Sequence, residues 1–312
     1  MQKIYDTVII GGGPAAVAAG VYATRKKMDS LLVTESFGGQ SIVASSIENW
    51  IGTESISGYE LAASLEKHVR AQEGIEIKVG DKVVAIDEMD GGFVVKTENQ
   101  QYQTKTVIIC AGGRDRHLGI PGEEKFAGKG VAYCSTCDAP FFKGKDVAVV
   151  GGGNAGLEAV MDLIEYAKKI TLLIREEAPD GDPQTFEEIK GIDKVDVINN
   201  AETQEIVGDE NISALRFKDL KTGESQELKI QGVFVEVGVV PNSEFVKDLV
   251  RLNKTGEIVV VNPRTGQTSK NGIYAAGDVS DEKYKQNNIA VGDAIKATLS
   301  AYGYLQQLKR HE

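Results

Sequence analysis

The chain is poor in the residues that hold metals or staple small folds. Its 312 residues include three cysteines, three histidines and one tryptophan. Three cysteines cannot make a disulfide scaffold. Tetrahedral zinc normally takes four nitrogen or sulfur ligands. Cys134 and Cys137 form a CxxC pair, but only Cys110 and the scattered His68, His117 and His311 could add to it. No second CxxC and no HxxxH exists, so no metal site is expected. Long apolar runs are missing as well, and nothing approaches the roughly 18 residues of a membrane span. The opening MQKIYDTVIIGGG enters a strand at once, without the charged start and apolar run of a signal peptide. Positive charge is short: 35 lysines and arginines face 46 aspartates and glutamates, for a net charge of −11. An acidic surface argues against nucleic acid or an anionic membrane as partner. These absences point to a cytoplasmic protein. In a reducing cytoplasm a CxxC is catalytic more often than structural.

What is present is two glycine-rich turns in matching surroundings. Gly11-Gly12-Gly13-Pro14-Ala15-Ala16 follows the apolar run Thr7–Ile10 and opens a helix-compatible segment, Pro14 to Arg25. Proline suits the first helical turn, where its missing N–H has no intrahelical partner. Ser30 to Thr34 reads as the second strand of a βαβ unit. Gly151-Gly152-Gly153-Asn154-Ala155-Gly156 repeats the pattern 140 residues later, after Val147–Val150. A helix near Asn154 to Tyr166 and a strand near Ile170 to Ile174 follow it. In each turn the first glycine permits the tight bend, and the second admits a pyrophosphate to the helix N-terminus. Glu35 ends the second strand 24 positions after Gly11, where a carboxylate can accept a ribose hydroxyl bond.

Each βαβ unit is followed by β-like segments separated by turn residues. Lys82 to Ile109 is broken at Asp90-Gly91-Gly92, and Ile206 to Ile230 at Gly208-Asp209 and Thr222-Gly223. The expected fold class is α/β: two Rossmann-like, three-layer nucleotide-binding domains, each with a small antiparallel meander. A helix is expected from Ile289 to Leu308. Tyr274-Ala275-Ala276-Gly277-Asp278 can complete the first site only if the C-terminal stretch folds back. The first domain is therefore expected to be discontinuous, residues 1–114 and 244–312, with residues 115–243 inserted.

The chemistry centres on Cys134-Ser135-Thr136-Cys137-Asp138. Two thiols at this spacing can close a disulfide, and Asp138 can exchange a proton with a leaving thiolate. Between two nucleotide sites, the redox reading outweighs that of a buried structural pair. Cys110 reads as a small core residue, and so does Trp50. At the second site, Glu176 or Glu177 could accept a free ribose hydroxyl, while Arg175 could serve a 2′-phosphate. Residues 175–182 hold one arginine and four carboxylates, which favours NADH over NADPH.

Together these motifs resemble the low-molecular-weight thioredoxin reductase family. The likeness runs through Glu35-Ser36-Phe37-Gly38-Gly39-Gln40, Ile47-Glu48-Asn49-Trp50 and Ile120-Pro121-Gly122-Glu123. It continues through the CxxC-Asp motif, the second fingerprint, and Gly277-Asp278 followed by Tyr284-Lys285-Gln286. The flavoprotein component of alkyl hydroperoxide reductase is similar too. The resemblance implies FAD in the discontinuous domain. Gly11, Gly13 and Glu35 would hold its ADP half, Gln40 and Asn49 the flavin end, Asp278 the ribitol-phosphate region, and Gln286 the isoalloxazine. Pro14, Ala15, Gly39, Gly277, Lys285 and Asn287 belong to the same motifs. Pyridine nucleotide would bind the inserted domain at Gly151, Gly153, Asn154, Ala155, Arg175 and Glu176. Cys137 would face the flavin, Cys134 would exchange with the partner disulfide, and Asp138 would be the acid. The resemblance further implies a homodimer, a large rotation of the inserted domain, and a thioredoxin- or glutaredoxin-like protein partner. Three departures stand out: Ala139-Pro140 where many members have glycine, Ala294 at a position often glycine, and the thinned basic cluster after Ile174. Two other readings stay open: a flavin disulfide reductase using another donor, such as ferredoxin, or oxygen as acceptor, and a flavin-binding redox sensor with little turnover.

Overall fold

The computed structural model describes residues 3–44 and 46–311. It divides into two compact units, Met1–Arg114 with Val240–Glu312, and Asp115–Val239. The return crossing falls between residues 239 and 240 rather than 243 and 244. The reason is where the intervening residues bond. Asn242 gives its backbone N–H to Gly112 and its side-chain amide to the Ala111 carbonyl, and Ser243 Oγ donates to the Gly256 carbonyl.

The first pass through unit one makes β1 (Ile4–Ile10), α1 (Pro14–Arg25), β2 (Ser30–Thr34), α2 (Gly58–Arg70) and β3 (Ile75–Val79). Next come β4 (Val83–Met89), β5 (Gly92–Thr97), β6 (Gln101–Ile109) and the crossing strand β7 (Gly113–Asp115). Unit two holds β8 (Val131–Ala132), α3 (Ser135–Asp138), β9 (Asp146–Val150), α4 (Asn154–Ile164), β10 (Lys169–Leu173), α5 (Pro183–Lys190) and β11 (Val195–Ile198). It continues with β12 (Ala201–Gly208), β13 (Ile212–Asp219), β14 (Ser225–Lys229) and β15 (Gly232–Val235). The chain returns through β16 (Val239–Pro241), which pairs with β7, and ends in β17 (Val260–Asn262), β18 (Gln267–Thr268), β19 (Ile273–Ala275) and α6 (Asn287–His311).

In unit one the sheet runs β17-β18-β19-β6-β1-β2-β3. Val8, Ile9 and Ile10 are buried because β1 lies between β2 and β6, both parallel to it. On one face, Ala15, Ala16, Ala19 and Ala23 of α1 share a core with Ala290, Ala294, Ala297 and Ala301 of α6. Small side chains let these two helices approach closely. The expected antiparallel meander is a continuation of the main sheet: β6 pairs parallel with β1 from Gln103 onward along one edge, and along the other it pairs antiparallel with β5 through Thr104 and then parallel with β19 from Val107.

In unit two the parallel sheet runs β11-β10-β9-β15-β8. Here the meander is a separate antiparallel sheet, β12-β13-β14. Its Ile206, Leu215 and Phe217 pack with Phe126, Val150 and Leu173.

Candidate functional site

Both glycine turns are built alike. Gly11 has φ +127° and Gly151 has φ +138°. A Cβ at Gly11 would stand 2.2 Å from the Cys110 carbonyl, and one at Gly151 2.2 Å from the Glu236 carbonyl. Only glycine fits beneath the end of the third parallel strand in either unit. Gly13 and Gly153 then start α1 and α4 as N-caps without side-chain caps, so the first-turn amides are free of competing protein side chains. That is the arrangement a pyrophosphate requires.

In unit one the loop after β2 lies on this turn with the Ser36 carbonyl against Gly12 and with two glycines beyond it. Gly38 N–H bonds the Gly12 carbonyl at 3.0 Å, and Gly39, at φ +59°, meets the Cα of Gly13. Glu35 is exposed at the end of β2 with Lys82 3.9 Å away. The C-terminal stretch does fold back. β19 pairs with β6, and Gly277 fits between Ala15 of α1 and Ala290 of α6. Asp278 follows, and burial raises its pKa against the charge of Lys285. Lys285 is committed to protein groups: Nζ donates to the Ser280 carbonyl at 2.6 Å and pairs with Glu257 at 2.8 Å. Gln40 lies in a 3-10 turn, Gly39–Val43, whose Ser41 Oγ accepts from Asn287 Nδ2 at 2.9 Å. Asn49 Nδ2 donates to Gln286 Oε1 at 3.2 Å. The residues proposed for FAD thus come from three distant stretches of chain into one unit. The glycine cradle, the uncapped helix start and the half-buried Asp278 fit that cofactor.

In unit two the loop after β10 crosses the second turn with charges on it. Asp180 and Gly181 each give an N–H to the Gly152 carbonyl at 3.1 Å, and Asp182 N–H bonds Asn154 Oδ1 at 2.7 Å. Arg175 turns to Glu202, 2.9 Å from Nη2 to Oε1. Glu176 is exposed, and Glu177 pairs with Lys221 at 3.1 Å. A free basic cluster is missing from this loop, and its one arginine is already engaged.

Cys134 and Cys137 form a disulfide. Cys134 is the N-cap of the short helix α3, and its Sγ accepts the Cys137 N–H at 3.2 Å. Amides aimed at a sulfur stabilise its thiolate once the disulfide opens. Asp162 of α4 holds this turn from outside: Ser135 Oγ donates to Oδ2 at 2.8 Å and Thr136 Oγ1 to the same oxygen at 3.2 Å. Burial pushes the Asp138 pKa up to about 6. Ala139 is buried behind the turn, and Pro140 lies in a 3-10 turn, Ala139–Phe142. Cys110 is a buried free thiol whose pKa desolvation raises strongly, and Trp50 packs against the unit-one core.

Some residues of this arrangement are not evident in the sequence. Asp162 stands out only as a carboxylate in an apolar helix. Glu123, also buried, accepts the N–H groups of Leu118 and Gly119 at 3.0 and 2.8 Å and the Tyr133 hydroxyl at 3.0 Å. It pins the segment that leads into β8. Glu236 interrupts the apolar run Gly232–Val237, its side chain close to Ser135.

Two dinucleotide-type units and a CxxC disulfide define a class of redox enzymes that couple nucleotides to thiols. Residues 5–294 match the pyridine nucleotide-disulphide oxidoreductase family, and the chain belongs to it. The family implies FAD and a nicotinamide nucleotide. Among curated relatives, the "NADH dehydrogenase" of Bacillus subtilis (strain 168) is 41% identical over 307 residues, covering 97% of this chain and 59% of the relative. An alkyl hydroperoxide reductase component of Staphylococcus aureus (strain Mu50 / ATCC 700699) is 39% identical over 305 residues, 97% of this chain and 60% of that one. The chain therefore spans about three fifths of the length of these relatives. A solved thioredoxin reductase from Streptococcus pyogenes MGAS5005 superposes with TM-score 0.91 at 35% identity, covering 98% of this chain and 100% of that one. Among the described residues no group of histidine, cysteine and carboxylate side chains could hold a metal ion, and no helix is long and apolar enough to cross a membrane.

Proposed function

We propose that the chain is a flavin-dependent disulfide reductase. It passes two electrons from a nicotinamide dinucleotide in the inserted unit, through FAD in the discontinuous unit, to Cys134–Cys137. A thioredoxin- or glutaredoxin-like protein is the acceptor. The observation that carries this reading is the Cys134–Cys137 disulfide, capped by its own helix and followed by an Asp138 whose proton is retained to about 6. FAD, when bound, supplies the step between hydride transfer and thiol chemistry.

The chain's own residues would act in order. The amides beyond Gly13 and Gly153 bind pyrophosphates. Asp138 protonates the sulfur that leaves when the disulfide opens, and the Cys137 amide holds the Cys134 thiolate for exchange with the partner. NADH is the favoured donor. Arg175, the one arginine of the loop, is paired with Glu202, and Glu176 stands where a ribose hydroxyl could donate. The name of the Bacillus subtilis relative agrees with that preference. A homodimer in the cytoplasm completes the proposal. Anaerobic addition of NADH and NADPH in separate titrations, followed by a disulfide protein, tests it. Bleaching by NADH and reoxidation by the disulfide protein are expected; bleaching by neither nucleotide would overturn it.

A further inference from the structure

One half-buried carboxyl beside the disulfide has no part in the steps above. Glu236 directly follows β15. Its N–H bonds the Val150 carbonyl at 2.9 Å, and its own carbonyl covers Gly151. Its backbone is thus fixed on the dinucleotide turn. Its side chain accepts the backbone N–H of Ser135, the residue next to Cys134. Glu236 therefore bridges the disulfide helix and the dinucleotide turn inside one unit. Its Oε1 is sealed from solvent and has no hydrogen-bond partner among the described residues. An ionised carboxyl there would exchange its hydration for little more than a single amide, which disfavours the charge. The neighbours add to this. The charges of Asp115 of β7, Asp162 of α4 and Asp138 of α3 all act on it, and no cation stands among its main influences. Burial first, and then these charges, push its pKa up to about 8.

We propose that Glu236 is the proton store of the disulfide centre, holding the proton that reduction of Cys134–Cys137 consumes and delivering it through Asp138. The proposal rests on the disulfide reductase reading. Opening the S–S bond into two thiols takes two electrons and two protons. A reduced nicotinamide dinucleotide gives up a hydride, which brings both electrons and one proton as the ring is oxidised. One proton per turnover must come from elsewhere. Asp138, titrating near 6, is mostly ionised at neutral pH, whereas Glu236 still holds its proton there. Transfer leaves Glu236 ionised until water refills it. The dithiol later hands two electrons and two protons together to the acceptor disulfide. Glu236 acts through Asp138, so it is a positioning residue for the proton rather than a catalytic one.

Glu236→Gln keeps the size and an acceptor for Ser135 but holds no acidic proton. The test is stopped-flow reduction of the FAD-loaded enzyme by NADH, from below the Asp138 value to above that of Glu236. The wild-type rate of disulfide reduction should hold to about pH 8 and then fall. In Glu236→Gln it should drop at least about tenfold at neutral pH, with the break moved down toward Asp138. Glu236→Asp should restore an upper break. Time-resolved infrared difference spectra of the wild type at neutral pH should show a carboxylic-acid carbonyl band lost as the disulfide is reduced and regained as water refills Glu236. An unchanged rate and break in Glu236→Gln, or no such band in the wild type, overturns the proposal. The infrared test stands even if the glutamine variant fails to fold. If neither dinucleotide reduces the enzyme, the donor reading fails by itself; dithionite then supplies the electrons, and the same profiles and band still decide the role of Glu236.

Discussion

At the scale of single residues, reactivity follows from who neighbours whom. Cys110 and Cys134 are both thiol-bearing residues, yet only one stands at a helix start. The other is sealed in a core where desolvation keeps it a thiol. Replacing Cys134 or Cys137 with Ser should cut reduction of the acceptor protein by more than about 10³-fold, since a lone thiol cannot cycle as a disulfide. Reduction of the flavin by NADH should stay within about twofold, because the dithiol lies downstream. Paired stopped-flow and acceptor assays read both. For Asp138 the sign follows from its raised pKa. An acid that titrates near 6 is protonated below that value and spent above it. Recharged by Glu236, Asp138 serves beyond that value, so Asp138→Asn should lower disulfide reduction about 10²-fold and also abolish the fall near pH 8, because the Glu236 proton loses its route to the sulfur. Cys134, Cys137 and Asp138 are legible in the sequence because they are local. Asp162 is not, since its bond to Ser135 spans 27 positions and exists only once α3 lies against α4.

At the scale of elements, the loop after β10 and the segment before β8 each carry a test. In unit one the corresponding loop reaches the phosphate turn with Gly38 and Gly39; in unit two it brings Asp180 to the same place, while Glu202 holds Arg175. NADH should be preferred to NADPH in kcat/KM. Glu176→Arg should move the ratio toward NADPH by about tenfold, the scale of one charge-assisted contact. A clear wild-type preference for NADPH would refute the reading of this loop. The shortage of basic residues could be read from the sequence, but not that Arg175 is already paired. Glu123 belongs to the same scale. Glu123→Ala strands two amides and a hydroxyl, and should destabilise the inserted unit by about 3 kcal/mol in denaturant unfolding. Sequence periodicity finds α1 and β2 with the observed ends, since uncapped glycine, proline and the apolar Leu31-Leu32-Val33 run between Ser30 and Thr34 mark them clearly. It misses that β6 serves three partners, because a nine-residue strand with β1 along one edge and β5 then β19 along the other shows no break in its pattern.

At the scale of the whole molecule, two repeats of one nucleotide-binding plan carry different loads. The fold class follows from the repeated glycine turns, whereas the return point depends on Asn242 and Ser243 bonding back into unit one, which no local pattern announces. The central claim is that flavin and disulfide lie in series, each storing two electrons. Anaerobic titration with NADH, monitored by flavin bleaching, counts those stores. The account predicts that full bleaching takes two equivalents per chain in the wild type and one in the Cys134→Ser, Cys137→Ser double variant. Equal consumption by the two proteins would contradict it.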